Sequence, residues 1–116
     1  MIFQFGFDEP SVPEISVEQL MQAIEDNTSC IILDVRTPGE FERGHIEGSV
    51  NIPVDCIDST ITSTLSDTSK RMYVYCLSGS RSAHAVEALI SLGYKNIFNV
   101  SHGLLAWRAK YYPLVT

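Results

Sequence analysis

Cys76 and Arg81 close the segment Cys76-Leu77-Ser78-Gly79-Ser80-Arg81, a C-x4-R spacing. The residues between them include one glycine and two small serines, and a helical pattern begins just beyond, at about Ser82. A short loop of this composition turns backbone N–H groups inward and forms an anion-binding nest at a helix N-terminus. A thiol at the lip of such a nest is expected to be partly thiolate at neutral pH. The helix dipole and the Arg81 guanidinium both favour the negative form. The chemistry this implies is nucleophilic attack with no separate general base. The target is a compact anion or a single transferred atom.

Positioning such a loop requires a strand before it and a helix after it. Met72-Tyr73-Val74-Tyr75-Cys76 is an apolar run typical of a strand buried on both faces. The spacing predicts a helix over 82–92, with Val86, Leu89 and Ile90 facing inward and Gly93 as its stop. Upstream, Ser16 and Gln19 form a capping box, and Val17, Leu20, Met21 and Ile24 share one helical face that ends at Asn27. Residues 30–35 read as a second buried strand. Thr37, Pro38 and Glu40 then open a short helix halted by Gly44. Residues 49–52 are a short strand stopped by Pro53, and Ile57, Ile61 and Leu65 recur at helical spacing among Ser and Thr. Residues 97–100 form a further strand and 103–110 a final helix ended near Pro113. Alternating strands and helices with short connections imply an α/β domain with a mainly parallel sheet. In such sheets ligands bind beyond the carboxyl ends of the strands, which is where Cys76 falls.

The 116 residues make one domain large enough for a real core. A charge of −6 disfavours non-specific nucleic-acid binding, which needs clustered Lys and Arg. The charge is uneven: residues 1–70 carry 3 basic and 13 acidic side chains, residues 71–116 carry 5 and 1. An anionic substrate would favour the second half, although surface variation explains the asymmetry equally well. Three cysteines without a C-x-x-C pair exclude a complete disulfide framework and the familiar zinc spacings. The start of the chain has no basic region of the secretory kind, and no run reaches the length of a membrane span. A soluble cytoplasmic setting with reduced thiols is the expectation. Residues 1–14 read as an apolar arm, with Phe3, Phe5 and Phe7 in alternation. The arm is expected to pack on its own domain, and it leaves a dimer open.

Over residues 15–114 the chain resembles the single-domain rhodanese family of sulfurtransferases. The matching pieces are LDVR (33–36), EF (40–41), GHI (44–46), GSVNIP (48–53), YC (75–76), GSRS (79–82), LGY (92–94) and GLLAW (103–107). Each is weak alone; their common order is specific. The resemblance implies a rhodanese domain over 15–116, with a five-stranded, mainly parallel sheet flanked by helices on both faces. It also implies a double displacement. Cys76 takes the outer sulfur of thiosulfate, a polysulfide or a protein persulfide, and the backbone N–H groups of residues 77–81 cradle the resulting persulfide. A thiol, a protein or cyanide then collects the sulfur. Arg81 would hold the anionic end of the donor and stabilise the thiolate. Leu77, Ser78, Gly79, Ser80 and Ser82 complete the substrate-binding loop. The implied partners are a small anionic donor and a thiol or protein acceptor, with no cofactor, metal, nucleic acid or membrane.

Two departures stand out. Many relatives carry Arg directly after the cysteine, where this chain has Leu77. One fewer cation should weaken sulfonate binding, so a high KM for thiosulfate and better use of a polysulfide or protein persulfide are expected. Ser101-His102-Gly103 replaces a frequent Gly-Gly pair.

Plainer readings compete at each position. A free cysteine is often an inert core thiol, but the glycine-containing loop and Arg81 favour the nucleophile for Cys76. Cys30 reads as packing, and for Cys56 no role is favoured over a resolving or relay role. Asp34, Arg36 and Glu40 look structural by the resemblance. His45, His84 and His102 lack ligand spacing, and Trp107 reads as core. Ser78, Ser80 and Ser82 shape and cap the loop rather than attack. A small cysteine phosphatase or arsenate reductase is disfavoured, because cysteine phosphatases wrap phosphate with the longer C-x5-R loop. A non-catalytic sulfur-relay or regulatory module remains the alternative.

Overall fold

Ser16 begins the first helix by accepting the Gln19 N–H, while the Gln19 side chain accepts the Ser16 N–H in return. This reciprocal pair satisfies two donors that the helix leaves open and contributes about 1 kcal/mol. In a computed structural model that describes residues 11–116, the elements follow in the order β1 (Glu14–Ile15), α1 (Val17–Glu25), β2 (Ile31–Asp34), α2 (Pro38–Arg43) and β3 (Val50–Asn51). After a single 3-10 turn (Val54–Cys56) come α3 (Ile57–Thr64), β4 (Met72–Tyr75), α4 (Ser80–Ser91), β5 (Ile97–Val100) and α5 (Gly103–Ala109). The five strands lie side by side in the order β1-β5-β4-β2-β3, every pair parallel. The α/β architecture with a five-stranded parallel sheet is as expected.

The period of the strands sorts their side chains into two cores. Met72, Val74 and Cys76 join Leu33, Ile57, Ile61, Val86 and Leu89 beneath α3 and α4. Tyr73 and Tyr75 join Val17, Leu20, Leu104 and Trp107 beneath α1 and α5. Cys76 therefore ends the central strand on the α3/α4 face. Trp107 is fully buried, as expected of a core residue, and its indole N–H donates to the Pro113 carbonyl at 2.9 Å.

Three local readings change. The helix expected over 82–92 begins at Ser80, because Gly79 takes a left-handed conformation (φ +103°) and turns the chain into the helix two residues early. Ile90 does not face inward; it is 43% exposed, at the rim of a shallow groove that it shares with Pro13, Tyr94 and Ile97. The fifth strand is Glu14–Ile15, a two-residue edge whose own pattern is too short to reveal it; it is held by pairing with β5. The alternating Phe3, Phe5 and Phe7 lie outside the described residues. Among those described, no helix is long and apolar enough to cross a membrane.

Candidate active site

β4 delivers Cys76 to the carboxyl edge of the sheet, and two helices close around it. The N-terminal amides of α5 clamp the loop from one side: Leu104 N–H donates to the Cys76 carbonyl at 2.9 Å, and Leu105 N–H to the Leu77 carbonyl at 3.0 Å. This approach needs a glycine at position 103, where a Cβ would stand 2.3 Å from the Cys76 carbonyl oxygen and 2.8 Å from that of Leu77. From the other side, the loop carries the chain into α4 and wraps the sulfur. The Gly79 N–H lies 3.2 Å from Cys76 Sγ, and the Ser82 N–H and hydroxyl each lie 3.4 Å away. Of the expected 77–81 stretch the Gly79 N–H reaches the sulfur, and Ser82 adds its own N–H from one residue beyond. Cys76 is 1% exposed, so the sulfur sits at the floor of the loop.

The other loop residues divide by direction. Leu77 is half-buried and packs toward the α1/α5 core, away from the face that holds Cys76. Ser78 is exposed, and with Glu14, Gly79, Asn99, Ser101 and His102 it lines a polar pocket of about 210 Å3 behind the loop. Ser80 opens α4. Arg81 is bound on both guanidinium nitrogens by Glu40, with Nη1 2.9 Å from Oε1 and Nη2 3.1 Å from Oε2. Glu40 also accepts the Thr37 N–H at 2.9 Å, completing the capping box of α2. The Arg81 guanidinium, then the Thr37 N–H, hold the Glu40 carboxyl down at about 2. In turn, the hydrogen bond to Glu40 raises the pKa of Arg81. Glu40, expected to be structural, therefore also belongs to the site, and Arg81 is a paired rather than a free cation.

Asp34 and Arg36 behave as the resemblance suggests. They form a fully buried ion pair at 2.8 Å, and Arg36 Nη2 also donates to the Gly44 carbonyl at 2.7 Å, tying the end of β2 to the end of α2. His45 stacks on Phe41 with ring centroids 3.6 Å apart and bonds its carbonyl through Nδ1 at 2.8 Å. His84 and His102 are exposed, and His102 holds a left-handed conformation (φ +59°) before α5. Among the described residues, no group of three or more His, Cys, Asp or Glu is placed to hold a metal. Cys30 is half-buried beside the α1/α5 core, where burial pushes its thiol pKa up. Cys56 is half-buried at the start of α3. Among the basic residues of the second half, Arg71 and Lys95 precede β4 and β5, at the opposite edge of the sheet from Cys76, and Lys110 pairs with Glu18 at 2.8 Å.

Asn99 is a site residue that the sequence reading passed over. It is fully buried within β5; the Ser82 hydroxyl donates to its Oδ1, and its Nδ2 donates to Glu14 Oε2 and to the Gly79 carbonyl. The available signal was an amide in the middle of an apolar strand, a residue type depleted there unless it has partners.

Comparison with known proteins agrees with this geometry. The family profile described as a Rhodanese-like domain matches residues 16–110. A protein of Allochromatium vinosum named "Sulfurtransferase" is 32% identical over 104 residues, covering 90% of this chain and 95% of that one. A Bacillus subtilis relative, YrkF, whose given name includes the words sulfur carrier protein, is 35% identical over 100 residues; the match covers 86% of this chain and 53% of the relative, about half its length. The crystal structure of a rhodanese-related protein from Thermoplasma volcanium superposes with a TM-score of 0.79 at 36% identity, covering 90% of this chain and 98% of that one.

Proposed function

This chain belongs to the rhodanese-like domain family, and we propose that it is a sulfurtransferase carrying sulfane sulfur on Cys76. The observation that carries this reading is the convergence of two fixed backbone donors, the Gly79 N–H and the Ser82 N–H, on a single buried cysteine sulfur. Such an array stabilises negative charge on sulfur in a dry site without reorganising at the moment of reaction. The ionised Cys76 attacks the terminal sulfur of a donor. A new S–S bond forms to Cys76 while the donor's own bond to that sulfur breaks, and its electron pair leaves with sulfite or a thiolate. An acceptor thiolate then attacks the outer sulfur, and the Cys76 bond breaks to return the thiolate. Electrons balance across the two displacements, so no external oxidant or reductant enters, and ping-pong kinetics follow.

The charge around the site supports a preference among donors. The Arg81 guanidinium is occupied by Glu40, and Leu77 supplies no cation. A doubly charged thiosulfate therefore meets weak electrostatic attraction, whereas a polysulfide or a protein persulfide presents its terminal sulfur with less charge to accommodate. The acceptor is a thiol, small or on a protein.

The burial of Cys76 favours a second reading, a domain that docks sulfur-relay partners without turnover; partner capture that survives Cys76→Ala supports it. The deciding experiment is intact-mass analysis of the full chain after incubation with each donor. The protein should gain one sulfur atom, mapped to Cys76 and removed by cyanide, and Cys76→Ser should gain none. Absence of loading by every donor, or loading that persists in Cys76→Ser, overturns the proposal.

A further inference from the structure

The Ser82 hydroxyl carries one proton and faces two acceptors. Its oxygen is 2.5 Å from Asn99 Oδ1 and 3.4 Å from Cys76 Sγ. The shorter, oxygen-to-oxygen contact holds the proton in this arrangement. The lone pairs of Ser82 Oγ are then left toward sulfur, suited to receive an S–H rather than to stabilise S⁻. Asn99 cannot flip to relax this. Its Nδ2 donates to Glu14 Oε2 at 3.2 Å and to the Gly79 carbonyl at 3.3 Å, which fixes Oδ1 toward Ser82. Glu14 is placed to do so because it lies directly beside Asn99 in the β1–β5 register, and the Ser101 hydroxyl holds its other oxygen at 2.8 Å.

We propose that Asn99 is a positioning residue that, anchored by Glu14, holds the Ser82 proton away from Cys76 and so sets how readily that thiol ionises. When Cys76 loses its proton, the Ser82 hydroxyl must turn to donate to sulfur, and a buried Asn99 oxygen gives up its donor. That loss opposes ionisation. With Asn99 absent, the hydroxyl turns freely. The importance of this device for sulfur transfer rests on the proposed carrier role of Cys76, but its effect on the thiol does not. The charged groups facing the loop are Arg81 on α4, Glu40 on α2, the Asp34–Arg36 pair at the end of β2, and Glu14 on β1. Of these, Glu14 is the one linked to sulfur through the Asn99–Ser82 chain.

The test is the pH dependence of Cys76 alkylation by iodoacetamide in the full chain, read by peptide mapping. This readout does not depend on any sulfur transfer. Asn99→Leu should lower the pH midpoint by about one unit. At pH values below both midpoints the rate should rise about threefold, because a tenfold gain in thiolate is partly offset by its reduced nucleophilicity. In a Ser82→Ala background the same substitution should move the midpoint by less than about 0.3 unit, since no hydroxyl is left to redirect. If Asn99→Leu does not fold, Glu14→Ala, at an exposed position of the edge strand β1, should lower the midpoint by about half a unit, again only when Ser82 is present. A shift equal in both backgrounds, an upward shift, or none overturns the inference. A failure of sulfur loading with the alkylation pattern intact counts against the carrier role alone.

Discussion

Glu40→Gln separates the electrostatic role of Glu40 from its architectural one. A glutamine still accepts the Thr37 N–H and keeps the capping box that starts α2, but it withdraws the charge that occupies Arg81. The Glu40 carboxyl titrates at about 2 rather than 4.5, a gap of roughly 3 kcal/mol at 1.36 kcal/mol per unit. Part of that belongs to Thr37. The Arg81 and Glu40 side chains are 37% and 24% exposed, so solvent screens the remainder. About 1.4 kcal/mol is a reasonable share for the Arg81 link, equivalent to about tenfold in affinity. A thiosulfate that must compete with Glu40 for the guanidinium should therefore show a KM about tenfold lower in Glu40→Gln. Its kcat should change less than about twofold, because the transferred atom is handled by the Cys76 cradle, and KM for a singly charged persulfide donor should improve by less than about threefold. Steady-state assays with both donors supply the comparison. An unchanged or higher thiosulfate KM, or equal improvement for both donors, would refute the idea that Glu40 masks Arg81.

The same pair gives an acid signature. The folded-state carboxyl of Glu40 lies below its ordinary value, so its stabilising contribution is complete above about pH 4.5 and drains as pH falls toward 2. The urea midpoint of the wild type should drop more between pH 5 and pH 3 than that of Glu40→Gln; parallel losses would contradict the pairing. Gly103→Ala, with a Cβ 2.3 Å from a carbonyl oxygen, should cost about 3 kcal/mol in urea unfolding. Gly93→Ala, where φ is +102° but nothing lies within 4 Å, should cost only about 1 kcal/mol of backbone strain. Equal costs would show that the α5 clamp on the loop is not tight. Cys56→Ser should load one sulfur as the wild type does, by intact mass; loss of loading would give Cys56 a relay role.

Much of the fold was legible because its signals are local. The capping boxes at Ser16 and Thr37 place two helix starts through contacts three residues apart, and the apolar runs over 31–34 and 72–75 are long enough to identify buried strands. The edge strand Glu14–Ile15 was not legible. Two residues carry no period, and their strand geometry comes from pairing with β5, which follows more than eighty residues later in the chain. The inward placement expected of Ile90 failed for a related reason. Helical spacing gives a face but not its width, and the packing of α4 on the sheet ends at Leu89.

For the site the division is sharper. Chemistry that depends on residues close in the chain, Cys76 with Gly79, Arg81 and Ser82, can be read from type and spacing, since a short loop confines its own side chains to one place. The partners that decide how those groups behave come from elsewhere: Glu40 lies forty-one residues from Arg81, Asn99 seventeen from Ser82, and Glu14 eighty-five from Asn99. Sequence alone determined which cysteine and which loop the proposed chemistry rests on. Only the tertiary structure decided that the Arg81 guanidinium is already paired and that the Ser82 hydroxyl faces an amide, because hydrogen bonds and ion pairs are settled by distance in space, and the parallel crossovers of this sheet bring together residues with no spacing in common.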